Sequence, residues 1–261
     1  MELIRLDKYI SSQTTLSRND VKALVRRGAV SVDGKPVKSS DVRIDAENAS
    51  VSVNGKEILY RRNIYIMLNK PDGYVCSTRD GRSPIATELI PEELRLKGIF
   101  PAGRLDKDSK GFVLLTNDGE LAHRMLSPKK HIAKYYLVKL AQPFENEYTA
   151  AFADKIELDD GHICLPARAE RLENSPNYAI VELFEGKYHQ VRRMFAACGN
   201  RVEELFRFRL GNLSLPHDLG AGEHLEIMPK DVDEILVSPD FYGVKAALET
   251  AFSSYLINNN L

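Results

Sequence analysis

Within the first sixty residues, alternating valines run twice into an Asx-Gly pair: Val30-Ser31-Val32-Asp33-Gly34-Lys35 and Val51-Ser52-Val53-Asn54-Gly55. Such a two-residue turn needs positive φ at both central positions, and Asp, Asn and Gly accept it, so each pair closes a tight antiparallel hairpin. Upstream, Leu6, Tyr9 and Ile10 fall on one face of a short helix, with Arg5 and Lys8 off that face. Ser17 is the expected N-cap of a second helix and Gly28 its stop, with Val21, Leu24 and Val25 as the apolar stripe. Arg18, Lys22 and Arg26 recur every four residues and line up on one side. This stretch therefore reads as two helices followed by short strands, with one basic helix face.

The chain has 261 residues and a formal net charge of −1, which argues on average against a polyanionic partner. The average hides an asymmetry. Residues 1–62 hold 12 bases and 8 acids, a net +4, which leaves −5 for the remainder. A polyanion feels the local field, screened over about 10 Å, rather than the chain total. Taken alone, such a charge run describes a solvated face.

Arg61-Arg62-Asn63 reads as a linker, and Ile64-Tyr65-Ile66-Met67-Leu68 opens a second unit as a buried strand, ended at Pro71 and Gly73. Strands and helices then alternate without strict βαβ repeats. The expected fold class is α+β: a small N-terminal unit over 1–60 and a larger second unit over 64–238 on a mixed, largely antiparallel sheet. The tail 239–261 carries Val244, Leu248, Ala251, Phe252 and Tyr255 at helical spacing, and is expected to pack on the body. No apolar run approaches the roughly 20 residues that span a bilayer, so no membrane partner is expected. The N-terminus lacks the apolar run of a secretory signal. Cys76, Cys164 and Cys198 lie far apart, as reduced thiols of a cytoplasmic protein would.

Three segments could carry chemistry. In Gly103-Arg104-Leu105-Asp106-Lys107-Asp108-Ser109-Lys110-Gly111, two glycines bracket a charged loop that runs into the apolar strand from Phe112. Alone, this is a polar hairpin. In Lys134-Tyr135-Tyr136-Leu137-Val138, Tyr136 and Val138 share one strand face; alone, Tyr136 is a core tyrosine. In Glu185-Gly186-Lys187-Tyr188-His189-Gln190-Val191-Arg192-Arg193-Met194, a helix would bury Val191, Met194, Phe195 and Cys198 and stop at Gly199, with arginines flanking the stripe.

Together these stretches change the reading. Residues 3–50, through Arg5-Leu6-Asp7-Lys8-Tyr9, Ser17-Arg18-Asn19-Asp20-Val21 and Gly28 to Lys35, resemble the S-four-like RNA-binding domain. The stretches Met67–Thr78, Ala102–Asp106, Asn117–Leu121, Lys134–Val138, Glu185–Met194 and Arg209–Leu213 resemble, in order, the pseudouridine synthases that act on ribosomal RNA. The wording Cys76-Ser77-Thr78 and Tyr188-His189-Gln190 looks most like the small-subunit (16S) branch. The Phe206-Arg207-Phe208-Arg209 run is more apolar than that branch suggests, and the tail beyond Asp240 longer.

The resemblance implies that Asp106 is the catalytic carboxylate, that Tyr136 stacks on the target base, and that Arg192 pairs with Asp106. It makes Leu213 a hydrophobic wall of the pocket, Arg104 a wedge into the vacated base stack, and Lys70 and Gln190 substrate contacts. Arg18, Lys22, Arg26 and Arg27 become phosphate contacts, which position RNA without reading its sequence. The implied reaction breaks the uracil N1–ribose bond, turns the base and rejoins it through carbon 5, and it calls for no cofactor or metal. Asp106 would act as a nucleophile or as a base on a sugar proton. The expected partner is 16S ribosomal RNA in an assembly intermediate, bound by a monomer. Three other readings stay open: a synthase acting on 23S RNA, a non-catalytic RNA-binding assembly factor, and a hydrolase using Asp106 with Asp108.

Overall fold

The computed structural model describes residues 3–78, 80–95, 98–127 and 130–261. The chain divides into two compact units, Met1–Ile64 with Pro91–Ile99, and Tyr65–Ile90 with Phe100–Leu261.

In the first unit, strand β1 (Leu3–Arg5) leads into helices α1 (Leu6–Gln13) and α2 (Arg18–Arg26), followed by β2 (Val30–Val32), β3 (Lys35–Pro36), β4 (Arg43–Asp45), β5 (Val51–Val53) and β6 (Lys56–Ile58). Ser17 and Asp20 form a reciprocal capping box that fixes where α2 begins. Both hairpins close as expected: Asp33 and Asn54 take φ of 50° and 51°, each followed by a positive-φ glycine. The four strands order as β3-β2-β5-β6. Leu6, Tyr9, Ile10, Val21, Val25 and Val51 form the core of this unit, so α1 and α2 turn their apolar stripes inward. Arg18, Lys22, Arg26 and Arg27 stay exposed on the outer side of α2.

The second unit is built on a mixed sheet. Its strands are β7 (Tyr65–Lys70), β8 (Phe100–Ala102), β9 (Lys110–Thr116), β10 (Lys134–Leu140), β11 (Arg168–Leu172), β12 (Ser175–Leu183), β13 (Val202–Leu210), β14 (Leu213–Ser214) and β15 (His224–Glu226). The main order is β11-β12-β10-β13-β9-β7-β15, with β14 on β13 and β8 on β9. The β9–β13 pair is parallel and the other pairs are antiparallel. Helices α3 (Gly119–Leu126), α4 (Asn146–Ala153), α5 (Gln190–Ala197), α6 (Pro229–Val232) and α7 (Phe241–Asn259) complete the unit.

The tail expected as an extension belongs to this second unit. Along α7, Phe241, Val244, Leu248 and Tyr255 are buried in its core. The Tyr255 ring packs on Phe206 at 5.6 Å and on Phe208 at 6.0 Å, and its hydroxyl donates to the Leu215 carbonyl at 2.5 Å. The two unusual sequence features therefore explain each other: the longer tail supplies a helix, and the aromatic pair on β13 receives it. Among the described residues, no helix is long and apolar enough to cross a membrane.

Candidate active site

A cleft of about 1030 Å³ opens on the face of the sheet that carries Tyr136. Residues two apart on a strand share a face, and residues directly opposite in an antiparallel pair share it too. Lys134 and Tyr136 on β10, Leu183 opposite Lys134 on β12, and Arg207 opposite Tyr136 on β13 therefore point to one side, and all four line the cleft. Tyr135 faces the other way, its buried hydroxyl donating to Glu182 at 2.5 Å. Burial, first, and the adjacent Glu182 carboxylate raise its ionisation well above that of a free phenol.

Asp106 enters the same cleft from the loop between β8 and β9. Two buried cations hold that loop by its backbone. Lys70 is 0% exposed and donates to the carbonyls of Pro71 (2.9 Å), Tyr74 (2.9 Å) and Lys107 (3.2 Å). Burial lowers its pKa, opposed by Cys76, Asp72, Asp108 and Asp106. Arg207 is 2% exposed and donates to Phe112 at 2.9 Å and Arg104 at 3.3 Å, one residue on each flank of the loop. Gly111, at φ 102°, lies against the backbone of Arg207, where a Cβ would overlap the carbonyl. The Leu105 amide donates to the Cys76 sulfur at 3.4 Å, and the Ser109 amide to the Asp106 carbonyl at 3.1 Å.

Several expected site residues sit elsewhere than their motifs suggest. Arg192 is bound to Asp108, not to Asp106. Its guanidinium meets the Asp108 carboxylate at 3.1 Å and donates to the carbonyls of Asp108 (3.2 Å) and Val202 (3.1 Å). The carboxylate of Asp106 instead lies 3.8 Å from Nε2 of His189, which takes a left-handed φ of 50° just before α5. Lys70 has its three donors on carbonyls and does not line the cleft, so it serves the loop rather than a substrate. Gln190 lines the cleft, yet its amide is engaged locally, donating to Glu185 at 2.8 Å and accepting from the Lys187 amide at 2.9 Å. Leu213 packs against the core beside β13 and is not among the cleft-lining residues. Arg104 is exposed and lines the cleft.

Among the described residues, two groups of side chains carry donor atoms mutually within 4.8 Å and could hold a cation: Asp106, Asp108 and His189, and His162, Cys164 and Glu185. The second was invisible to Cys/His spacing, because Glu185 arrives from the far end of β12. In the first, Asp108 is already neutralised by Arg192.

Residues 64–197 match the family model described as RNA pseudouridylate synthase, and residues 4–49 match the S4 domain. The chain is 43% identical over 232 residues to an RNA pseudouridine synthase of Bacillus subtilis (strain 168), covering 88% of this chain and 97% of that one. The chain belongs to the RNA pseudouridylate synthase family. It is also 39% identical to ribosomal small subunit pseudouridine synthase A of Yersinia pestis, over 89% of this chain and 98% of that protein. A solved structure, the crystal structure of pseudouridylate synthase, superposes with a TM-score of 0.63 at 37% identity, over 89% and 99% of the two chains. This synthase is thus an isomerase of RNA with an S4 unit at its N-terminus. Lys134 and Arg207, which the sequence did not single out as site residues, also line the cleft, and their placement beside Tyr136 follows only from the β10–β13 register.

Proposed function

We propose that this synthase converts a uridine of 16S ribosomal RNA to pseudouridine in the cytoplasm, as a monomer, with Asp106 as the catalytic carboxylate acting on a flipped-out nucleotide. The placement of Asp106 and Tyr136 in one cleft carries the reading. The Yersinia pestis relative, named for the ribosomal small subunit, supports the choice of RNA.

The reaction has two demands. The target base must leave its stack, at a cost of a few kcal/mol. Stacking on the ring of Tyr136 recovers about 1–3 kcal/mol, and Arg104 at the cleft edge fills the space the base leaves. Asp106 must then reach the ribose with little rearrangement. Lys70 and Arg207 fix its loop through carbonyls, and Arg192 fixes it through Asp108, so Arg192 is a positioning residue. Such preorganisation supplies several kcal/mol of catalysis. As the reaction proceeds, the N1–C1′ bond breaks, the base turns, the C5–C1′ bond forms, C5 loses a proton and N1 gains one. Mass is unchanged, which separates this reaction from hydrolysis.

Arg18, Lys22, Arg26 and Arg27 of the S4 unit provide phosphate contacts. Chemical labelling of pseudouridine across ribosomal RNA, with and without the protein, tests the whole reading. One 16S position should depend on the protein. A dependent position in 23S RNA, or a mass change in the product, would contradict it.

A further inference from the structure

We infer that Lys134 and Arg207 form a cationic floor in the cleft that receives a carbonyl oxygen of the target uracil as its bond to ribose breaks. This rests on the function proposed above. Both side chains line the cleft beside Tyr136 and Asp106, Lys134 two residues before Tyr136 and Arg207 directly across from it. Neither forms an ion pair among the described residues. Arg207 places Nε and Nη1 on carbonyls, while its Nη2 is buried with no hydrogen-bond partner. Lys134 gives one hydrogen bond, to the Ile132 carbonyl at 2.9 Å.

Two desolvated cations without a counter-ion destabilise a fold, and each buried unsatisfied donor calls for an explanation. The reaction offers one. A uracil leaving ribose keeps the bonding pair, and its negative charge spreads onto the ring oxygens. Preorganised donors aimed at charge that develops only in the transition state are the most effective kind. Charges beside Tyr136 on the same strand face are placed to meet a base stacked on that ring. Burial, first, and neighbouring Arg207 push Lys134 down to about 8, opposed by Glu185 from the end of β12. Lys134 is therefore charged below that pH and loses its charge above it.

Single-turnover rates on 16S RNA from pH 6 to 9 test this with wild type, Lys134→Met and Lys134→Arg, each checked by thermal unfolding. Wild type should slow above about pH 8, Lys134→Arg should lose that fall, and Lys134→Met should be slower at pH 7 by about a hundredfold with RNA affinity within about twofold. The substrate-side counterpart alters no protein atom: RNA carrying 2-thiouridine or 4-thiouridine weakens one acceptor at a time. One thio substitution should slow wild type and leave Lys134→Met no slower than it already is. Equal slowing of both enzymes, or a Lys134→Met variant with the wild-type rate and pH profile, overturns the inference while pseudouridine formation by wild type leaves the proposed function standing. Wild type that makes no pseudouridine on ribosomal RNA overturns both.

Discussion

On one side of β13, Phe206 and Phe208 are sealed against Tyr255 of α7; on the other, Arg207 is as deeply buried but lies among backbone carbonyls beside the cleft. Neighbouring residues on one strand thus do opposite things. The α7 face gains stability from area removed from water, and the buried Tyr255 hydroxyl finds a neutral partner in the Leu215 carbonyl. The cleft face carries charges that stability alone would not select. Sites that preorganise charge for a reaction sacrifice folding free energy locally, and the rest of the core must supply it. In this chain the long C-terminal helix is part of that supply.

The contrast can be broken from the α7 side first. Removing residues 241–261 strips Phe206, Phe208 and Tyr178 of their cover, and the second unit should fail to fold cooperatively, seen as loss of the thermal transition. Phe206→Ala should cost about 3–5 kcal/mol in denaturant unfolding, while the activity of the remaining folded molecules stays within a few-fold. A smaller effect is expected at Asn259, whose side-chain oxygen accepts from the Asn69 amide at 2.6 Å inside the core. Asn259→Ala should cost about 1–3 kcal/mol, read from the same unfolding curve. Smallest for stability is the triple replacement of Arg18, Lys22 and Arg26 by Ala, all exposed on α2. Stability should barely change, RNA affinity should fall, and the log-log salt slope should flatten by about two.

How much of this was legible in the residues differs between the two units. The N-terminal hairpins and the α2 cap are local events, encoded in Asp33-Gly34, Asn54-Gly55 and the Ser17–Asp20 pair, and each formed where its chemistry placed it. The α5 stripe of Val191, Met194 and Phe195, and the inward face of α7, were equally readable from periodicity. Partnerships between distant segments were not. Which carboxylate of the Asp106-Lys107-Asp108 loop meets Arg192 depends on how the loop turns, and the two carboxylates, though close together, take different partners. Lys70 looked like a substrate contact because it is a cation in a matching stretch; only the fold shows its ammonium enclosed by three carbonyls. The register shift between Tyr135 and Tyr136 against β13, which sets what lies opposite Tyr136, leaves no mark in composition.

The central claim is that the chemistry resides in Asp106 and that this residue contributes little to holding the fold, since its carboxylate is only partly buried and meets the His189 imidazole at the long distance of 3.8 Å. Asp106→Asn, assayed for pseudouridine formation on 16S RNA with the unfolding midpoint measured on the same preparation, tests it most directly. The expected result is a rate lower by at least ~10³-fold with an unchanged midpoint and retained RNA binding. An Asp106→Asn protein that still makes pseudouridine at a comparable rate would contradict the account.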